Sequence, residues 1–148
     1  MKEHKHLGAY ALIINDNKIL LIKKVTGPYD GKLDLPGGTI EYNENPEQTL
    51  KRELKEETGL DIIKYKLFDA NSVLVDWYKD NGDIVKVHHI GIFYQIIEYK
   101  NEIIKELKID DRNDDSLGAE FYEIDKLKKE NLSAITILEL EKLGYSIK

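Results

Sequence analysis

Apolar residues fall in short runs along most of the chain, at strand spacing, and switch to helical spacing in two places. Leu7 to Ile14 is almost wholly apolar and reads as a strand, Asn15-Asp16-Asn17 as a turn, and Lys18 to Lys24 as the hairpin partner. Val25 to Lys32, with Gly27, Pro28 and Gly31, reads as a loop. Leu33 to Leu35 is a short extended piece running into the turn Pro36-Gly37-Gly38. Ile62 to Val75 predicts one long strand or two short ones. Asn81-Gly82 marks a hairpin turn that joins roughly Leu74–Lys79 to Asp83–Glu98. Glu120 to Glu123 reads as extended, and Ser133 to Leu143 as a helix stopped by Gly144. Strands flanking one early helix, with another helix at the end, give a mixed-sheet α/β fold. No repeat or linker divides it, so residues 1–148 read as one domain.

The early helix has well-defined ends. Asn45 suits the N-cap, Pro46 the first helical position, and Gln48 the place from which a side chain reaches back to close a capping box. Gly59 fits the left-handed position past the last turn, and Leu60 folds apolar surface back after it. At ~100° per residue, Arg52, Glu53, Glu56 and Glu57 fall within an arc of about 140°, beside a stripe formed by Leu50 and Leu54. Carboxylates crowded on one arc repel one another, and a divalent cation turns that repulsion into a site. Hard oxygen donors at this density suit Mg²⁺, with Mn²⁺ as a substitute.

The stretch Gly38 to Leu60 reads GTIEYNENPEQTLKRELKEETGL. It places Gly38, Glu44, Arg52-Glu53-Leu54, Glu56-Glu57 and Gly59-Leu60 at fixed intervals, a coincidence on the order of one in a million per chain. This pattern resembles the Nudix box of the Nudix hydrolases at every position. The resemblance implies a mixed sheet sandwiched between helices, with the box as a catalytic loop–helix–loop. It also implies that Glu53, Glu56 and Glu57 are the main metal ligands and that Gly38 offers its backbone carbonyl. Arg52 would hold the ligands in place, and Glu44 would bind or orient close by. Where the family often has glycine, this chain has Asn43, a residue that tolerates positive φ. The implied reaction is Mg²⁺-dependent hydrolysis of a diphosphate linkage in a nucleoside di- or triphosphate derivative, with no covalent intermediate. A Nudix-fold module that binds a nucleotide without turning it over is the alternative, and the retained carboxylates favour the enzyme. A docking domain that uses its acidic helix as an interaction face is the third reading.

Composition narrows the field further. There is no cysteine, which excludes disulfides, thiolate metal sites and cysteine nucleophiles. The net charge of −6 argues against bulk nucleic-acid binding, yet leaves phosphorylated small molecules open because a metal supplies the positive charge. MKEHKHLGAY holds no apolar run long enough for a secretory signal and no segment reaches membrane-spanning length, so the expectation is a cytoplasmic protein with no membrane partner. Oligomeric state is open, a homodimer included.

Outside the box, some Nudix enzymes recruit an extra acid or base near the end of a strand or before the last helix. Glu98 and Glu120 are the candidates here. His88 and His89 are neighbours in a strand, so they point to opposite faces and take polar contacts rather than one shared metal. Trp77, Tyr78, Phe93, Tyr94, Phe121 and Tyr122 could offer stacking surface to a base, with core packing the expected role. Lys23, Lys24 and Lys32 stand near the loop before the box, where they could touch substrate phosphates, with surface solvation the expected role, and Arg112 with Asp110–Asp115 reads as a solvated loop. Among family subgroups, Val75 stands where ADP-ribose-type enzymes often have proline, and Tyr78 where dinucleoside polyphosphate hydrolases tend to have tyrosine. The compact length resembles the small MutT-like members, which act on nucleoside triphosphates. RNA 5′ pyrophosphohydrolysis uses the same chemistry.

Overall fold

The computed structural model describes residues 2–103 and 116–148; Arg112 and the run Asp110–Asp115 lie outside the described residues. Strand β1 (Lys2–Leu12) is buried from Ala9 to Leu12 without alternation, so it needs cover on both faces and neighbours on both edges. It obtains them in a sheet of order β5-β1-β7-β6, made with β5 (Gly37–Thr39), β7 (Ile84–Lys100) and β6 (Asp61–Tyr78). β1 runs parallel to β7 and antiparallel to β5, and the sheet is therefore mixed. A second sheet joins β2 (Ile14–Asn15), β3 (Lys18–Lys24), β4 (Leu33–Asp34) and β8 (Ser116–Glu123).

One expectation changes, and one left open is decided. The hairpin read over Leu7–Lys24 exists only where Ile14 and Asn15 face Ile19 and Lys18. The rest of the first strand leaves for the other sheet, because an apolar run covered on both faces pairs with central strands rather than with its sequence neighbour. Ile62–Val75 belongs to a single strand, β6, which pairs with β7 to the hairpin turn, where Tyr78 faces Ile84 and Lys79 N–H donates to Asp83 O. Three register shifts between Ile62 and Asp69 bend it.

Alternation along the inner strands divides the core in two. Tyr10, Leu12, Ile19, Leu21 and Phe93 face one way and pack with Ile135 and Leu140 of helix α2 (Ala134–Lys142). Ala9, Ala11, Ile13, Leu20 and Ile22 face the other way and pack with Leu50 and Leu54 of helix α1 (Pro46–Thr58). The sheets thus lie between two helices. Both α1 leucines are fully buried, each contributing ~1.5–3 kcal/mol, and this burial determines where the carboxylate arc points.

The ends of α1 match the local reading. Asn45 and Gln48 close a capping box, with Gln48 N–H donating to Asn45 Oδ1 at 2.8 Å and Asn45 N–H to Gln48 Oε1 at 2.9 Å. Gly59 stops the helix at φ 81°, and its N–H donates to Lys55 O. Gly59→Ala is expected to destabilise the fold by more than ~1 kcal/mol, because alanine is strained in this region. Urea unfolding of the two proteins checks this, and equal midpoints would show that the stop relaxes at no cost.

A buried acid pair joins α2 to β6. Glu139 is fully buried beside Asp69, and Lys142 Nζ lies 2.5 Å from Asp69 Oδ1. Neither Glu139 oxygen, nor Asp69 Oδ2, receives a hydrogen bond when both carboxyls are ionised. Burial, reinforced by Asp69, pushes the Glu139 carboxyl up to about 8. A raised acid binds its proton more tightly in the folded chain, so its contribution is full below the unfolded carboxyl range and is lost as pH rises through about 8. Glu139→Gln is therefore expected to raise the melting temperature at pH 8.5 relative to the parent, and to change it less at pH 5. Melting curves at both pH values check it; an equal change at each would remove the linkage.

Candidate active site

The box carboxylates gather where α1 meets the turn before β5. Leu50 and Leu54 face the core, so the arc of Arg52, Glu53 and Glu56 lines a cleft of about 320 Å³ together with Gly37, Gly38 and Thr39. Glu57 lies deeper, almost fully buried, and its Oε1 accepts a hydrogen bond from Gly37 N–H at 2.7 Å. Glu53 packs against Gly38 so closely that a Cβ there would stand 2.7 Å from its carboxyl carbon. A side chain at 38 would therefore push the Glu53 carboxyl out of its present place.

Arg52 organises the rest. Its Nε and Nη2 donate to the two oxygens of Glu44, each at 2.8 Å, forming a bidentate pair. Nη1 donates to Glu53 at 2.9 Å and lies 3.5 Å from Glu56, while Nη2 also reaches Thr39 O at 3.4 Å. Glu44 further accepts from Glu41 N–H and Thr49 Oγ1. The Arg52 hydrogen bonds hold the Glu44 carboxyl down at about 2, and Glu44 in turn raises the Arg52 guanidinium. Asn43 takes φ 71°, the positive value expected of the residue in the glycine's place.

Among the described residues, no three Asp, Glu, His or Cys side chains already converge as a metal cage. Arg52 bridges Glu44, Glu53 and Glu56 instead. The donor set still suits a hard divalent ion that takes one or two carboxylates and completes its shell with water and phosphate. Glu53 and Glu56 face the cleft, with the Gly38 backbone beside them.

The opposite wall was legible beforehand only at Lys24. It consists of His6, Tyr10, Lys24, Thr26 to Tyr29, Asp34 and His89. His89 is buried, with its Nε2 2.5 Å from Tyr10 Oη and its Nδ1 2.8 Å from Tyr29 Oη. His6 stacks on His89 at 4.5 Å between centroids and hydrogen-bonds Thr39 Oγ1 at 2.8 Å. Burial, with help from His6 and Lys24, pulls the His89 imidazole down to about 3, so the ring is neutral. One tyrosine hydroxyl therefore donates to its bare nitrogen, and its own N–H donates to the other. His88 points to the other face, as expected of strand neighbours.

Lys24 lines this cleft, whereas Lys23 does not. Glu98 and Glu120 do not line it either. Glu98 lies opposite Lys64, farther along β7 than the residues beside the cleft, and Glu120 is exposed on β8 opposite Leu21 of β3. Phe93 and Tyr94 are buried in the two cores as their strand positions suggest, while Trp77 is only half-buried.

Geometry and comparison agree on the class. The profile of the NUDIX domain matches residues 4–140, and the chain belongs to that family. It is 36% identical over 126 residues to an ADP-ribose pyrophosphatase of Methanocaldococcus jannaschii, an alignment that covers 85% of this chain and 66% of that one. It is 30% identical over 103 residues to an 8-oxo-dGTP diphosphatase of Proteus vulgaris, covering 69% of this chain and 84% of the relative. Among solved structures, the MutT NUDIX hydrolase from Burkholderia pseudomallei superposes with a TM-score of 0.73 at 25% identity, covering 95% of this chain and 99% of that one. Among the described residues, no helix is long and apolar enough to cross a membrane.

Proposed function

We propose that this chain hydrolyses the diphosphate linkage of a nucleoside diphosphate carrying a further group, triphosphates included, in a reaction that depends on Mg²⁺. The observation that carries this reading is the carboxylate arc of α1, with Glu53 and Glu56 at the cleft, Glu53 packed on Gly38 and Glu57 anchored to Gly37 N–H. The relatives named for diphosphate hydrolysis support it, one for ADP-ribose and one for 8-oxo-dGTP.

Glu53, Glu56 and Glu57, with the Gly38 carbonyl, would hold the metal. Bound there, Mg²⁺ neutralises phosphate oxygens and lowers the pKa of an attacking water. The chain's own residues supply positioning. Arg52 and Glu44 fix the rotamers of the carboxylates, and Gly37 N–H keeps Glu57 aimed at the turn. Lys24, on the opposite wall, offers a cation to the phosphate chain. No nucleophilic side chain is required, because water is the attacking group and charge stabilisation lowers the barrier.

The test is phosphate and pyrophosphate release across a panel with and without Mg²⁺. The panel holds ordinary and oxidised nucleoside triphosphates, ADP-ribose, a dinucleoside tetraphosphate and 5′-triphosphorylated RNA. Metal-dependent release from one class supports the enzyme and ranks its substrates. Tight nucleotide binding with no release from any of them would favour a binding module.

A further inference from the structure

Among the described residues, β6 has a strand partner, β7, on one side only, and its two halves treat the free edge differently. The half from Asp61 to Asp69 carries three register shifts and the lysines Lys64 and Lys66, devices that keep an edge from pairing. From Ala70 to Tyr78 the register with β7 is unbroken. That half, ANSVLVDWY, has no lysine, no proline and no bulge, and its one charge, Asp76, is held by Lys86 Nζ at 2.7 Å. It is a long apolar edge without the usual guards against pairing.

Backbone direction follows from the ladder. Lys79 N–H donates to Asp83 O, so by alternation Asn71, Val73, Val75 and Trp77 turn their peptide groups to β7. Those of Ala70, Ser72, Leu74, Asp76 and Tyr78 point to the free edge. Ser72 illustrates this, since its N–H donates to Asn71 Oδ1 at 2.9 Å rather than to a strand. Side chains alternate as well. Leu74 and Tyr78 stand on the face opposite His89, 79% and 70% exposed.

Outward peptide groups beside exposed apolar side chains fit another strand, and the residue order fits a second copy of this one. About a twofold axis at Leu74, antiparallel pairing sets Leu74 against Leu74, Ser72 against Asp76, Val73 against Val75 and Ala70 against Tyr78. At the ends Asp69 meets Lys79, and no like charges are opposed. An axis at Asp76 would set two carboxylates face to face, and one at Ser72 would run the ladder into the bulged half at Phe68. With the axis at Leu74, roughly ten N–H···O bonds join the two strands.

We propose that two copies of this chain join edge to edge along residues 70–78 of β6, making one continuous sheet across a twofold axis at Leu74. The box carboxylates stand beside β5, at the opposite edge of the sheet, three strand spacings or ~14 Å from β6. The inference therefore stands apart from the catalytic reading and is tested without turnover.

Sedimentation equilibrium of the full-length protein over a concentration series reads the association. A dimer with no larger species is the expected result. Leu74→Pro removes an outward N–H and leaves the β6–β7 bonds in place, so the single chain still folds. It is expected to raise the dimer Kd about thirtyfold or more, because two N–H···O bonds at the axis are lost. Leu74→Lys and Leu74→Glu, at an exposed position, should each give monomers with the circular-dichroism spectrum of the parent, because like charges then meet on the axis. Mixed in equal amounts, these two variants should pair, because opposite charges then meet there. A parent that stays monomeric at ~1 mM overturns the proposal. A dimer that survives both Leu74→Pro and Leu74→Lys overturns it too, as do open-ended association of the parent and failure of the mixed variants to pair.

Discussion

Replacing Glu57 by glutamine is expected to leave the fold intact and to reduce turnover by on the order of 10²–10³. Glutamine keeps an oxygen that accepts from Gly37 N–H, the bond that Glu57 Oε1 makes at 2.7 Å, so the link from α1 to the turn survives. What disappears is one negative charge from the arc. Glu53 and Glu57 are four residues apart on the helix, and like charges at that spacing repel by ~0.2–0.5 kcal/mol. Without metal, the variant should therefore melt at the parent temperature or slightly above it. With Mg²⁺ and substrate, it should lose one of the charges that the proposed mechanism assigns to the ion. Melting curves read the first part and product release the second. Unchanged turnover would remove Glu57 from the metal site, and a lowered melting temperature would mean that its charge itself supports the fold.

His89→Leu should act in the opposite way, through stability. The ring is buried and both nitrogens are engaged by tyrosine hydroxyls, from β1 on one side and loop 25–32 on the other. Leucine fills much of the space and leaves both hydroxyls without a partner, at ~1–3 kcal/mol for each buried group left unsatisfied. A loss of about 2–6 kcal/mol at pH 7 is the expected result, measured by denaturant unfolding. A loss below ~1 kcal/mol would show that the tyrosines find other partners. The imidazole pKa is lowered in the fold, so its contribution is present above the unfolded value and declines as pH falls from about 6.5 towards about 3. The parent should therefore lose stability faster than His89→Leu on acidification through this window. Glu139 gains in the same direction of pH change, because its carboxyl is raised, so the two groups oppose each other between pH 6.5 and 4.5.

These variants also separate what was legible along the chain from what was not. Residues 38–60 could be read in detail because their structure is local. The capping box closes within three residues, the left-handed stop belongs to one glycine, and the arc of carboxylates follows from helical spacing alone. The turn at Asn43 followed for the same reason. Strand partners could not be read in this way. Leu7–Ile14 carries no mark that sends it to β7, more than seventy residues ahead, rather than to the adjacent strand. Glu98 and Glu120 had the right residue type near plausible strand ends, but register carries both away from the cleft-lining residues.

The carboxylate-bearing helix, its caps and the family resemblance were all written in residues 38–60, because they depend on residues within a few turns of one another. The wall that faces them came from long-range pairing. His6, Tyr10, Tyr29 and His89 come from two strands and a loop, and they meet because β1 pairs in parallel with β7 while loop 25–32 folds over both. Pairing of that range is selected by the burial of whole sheet faces, a sum over many residues that no short stretch of sequence contains.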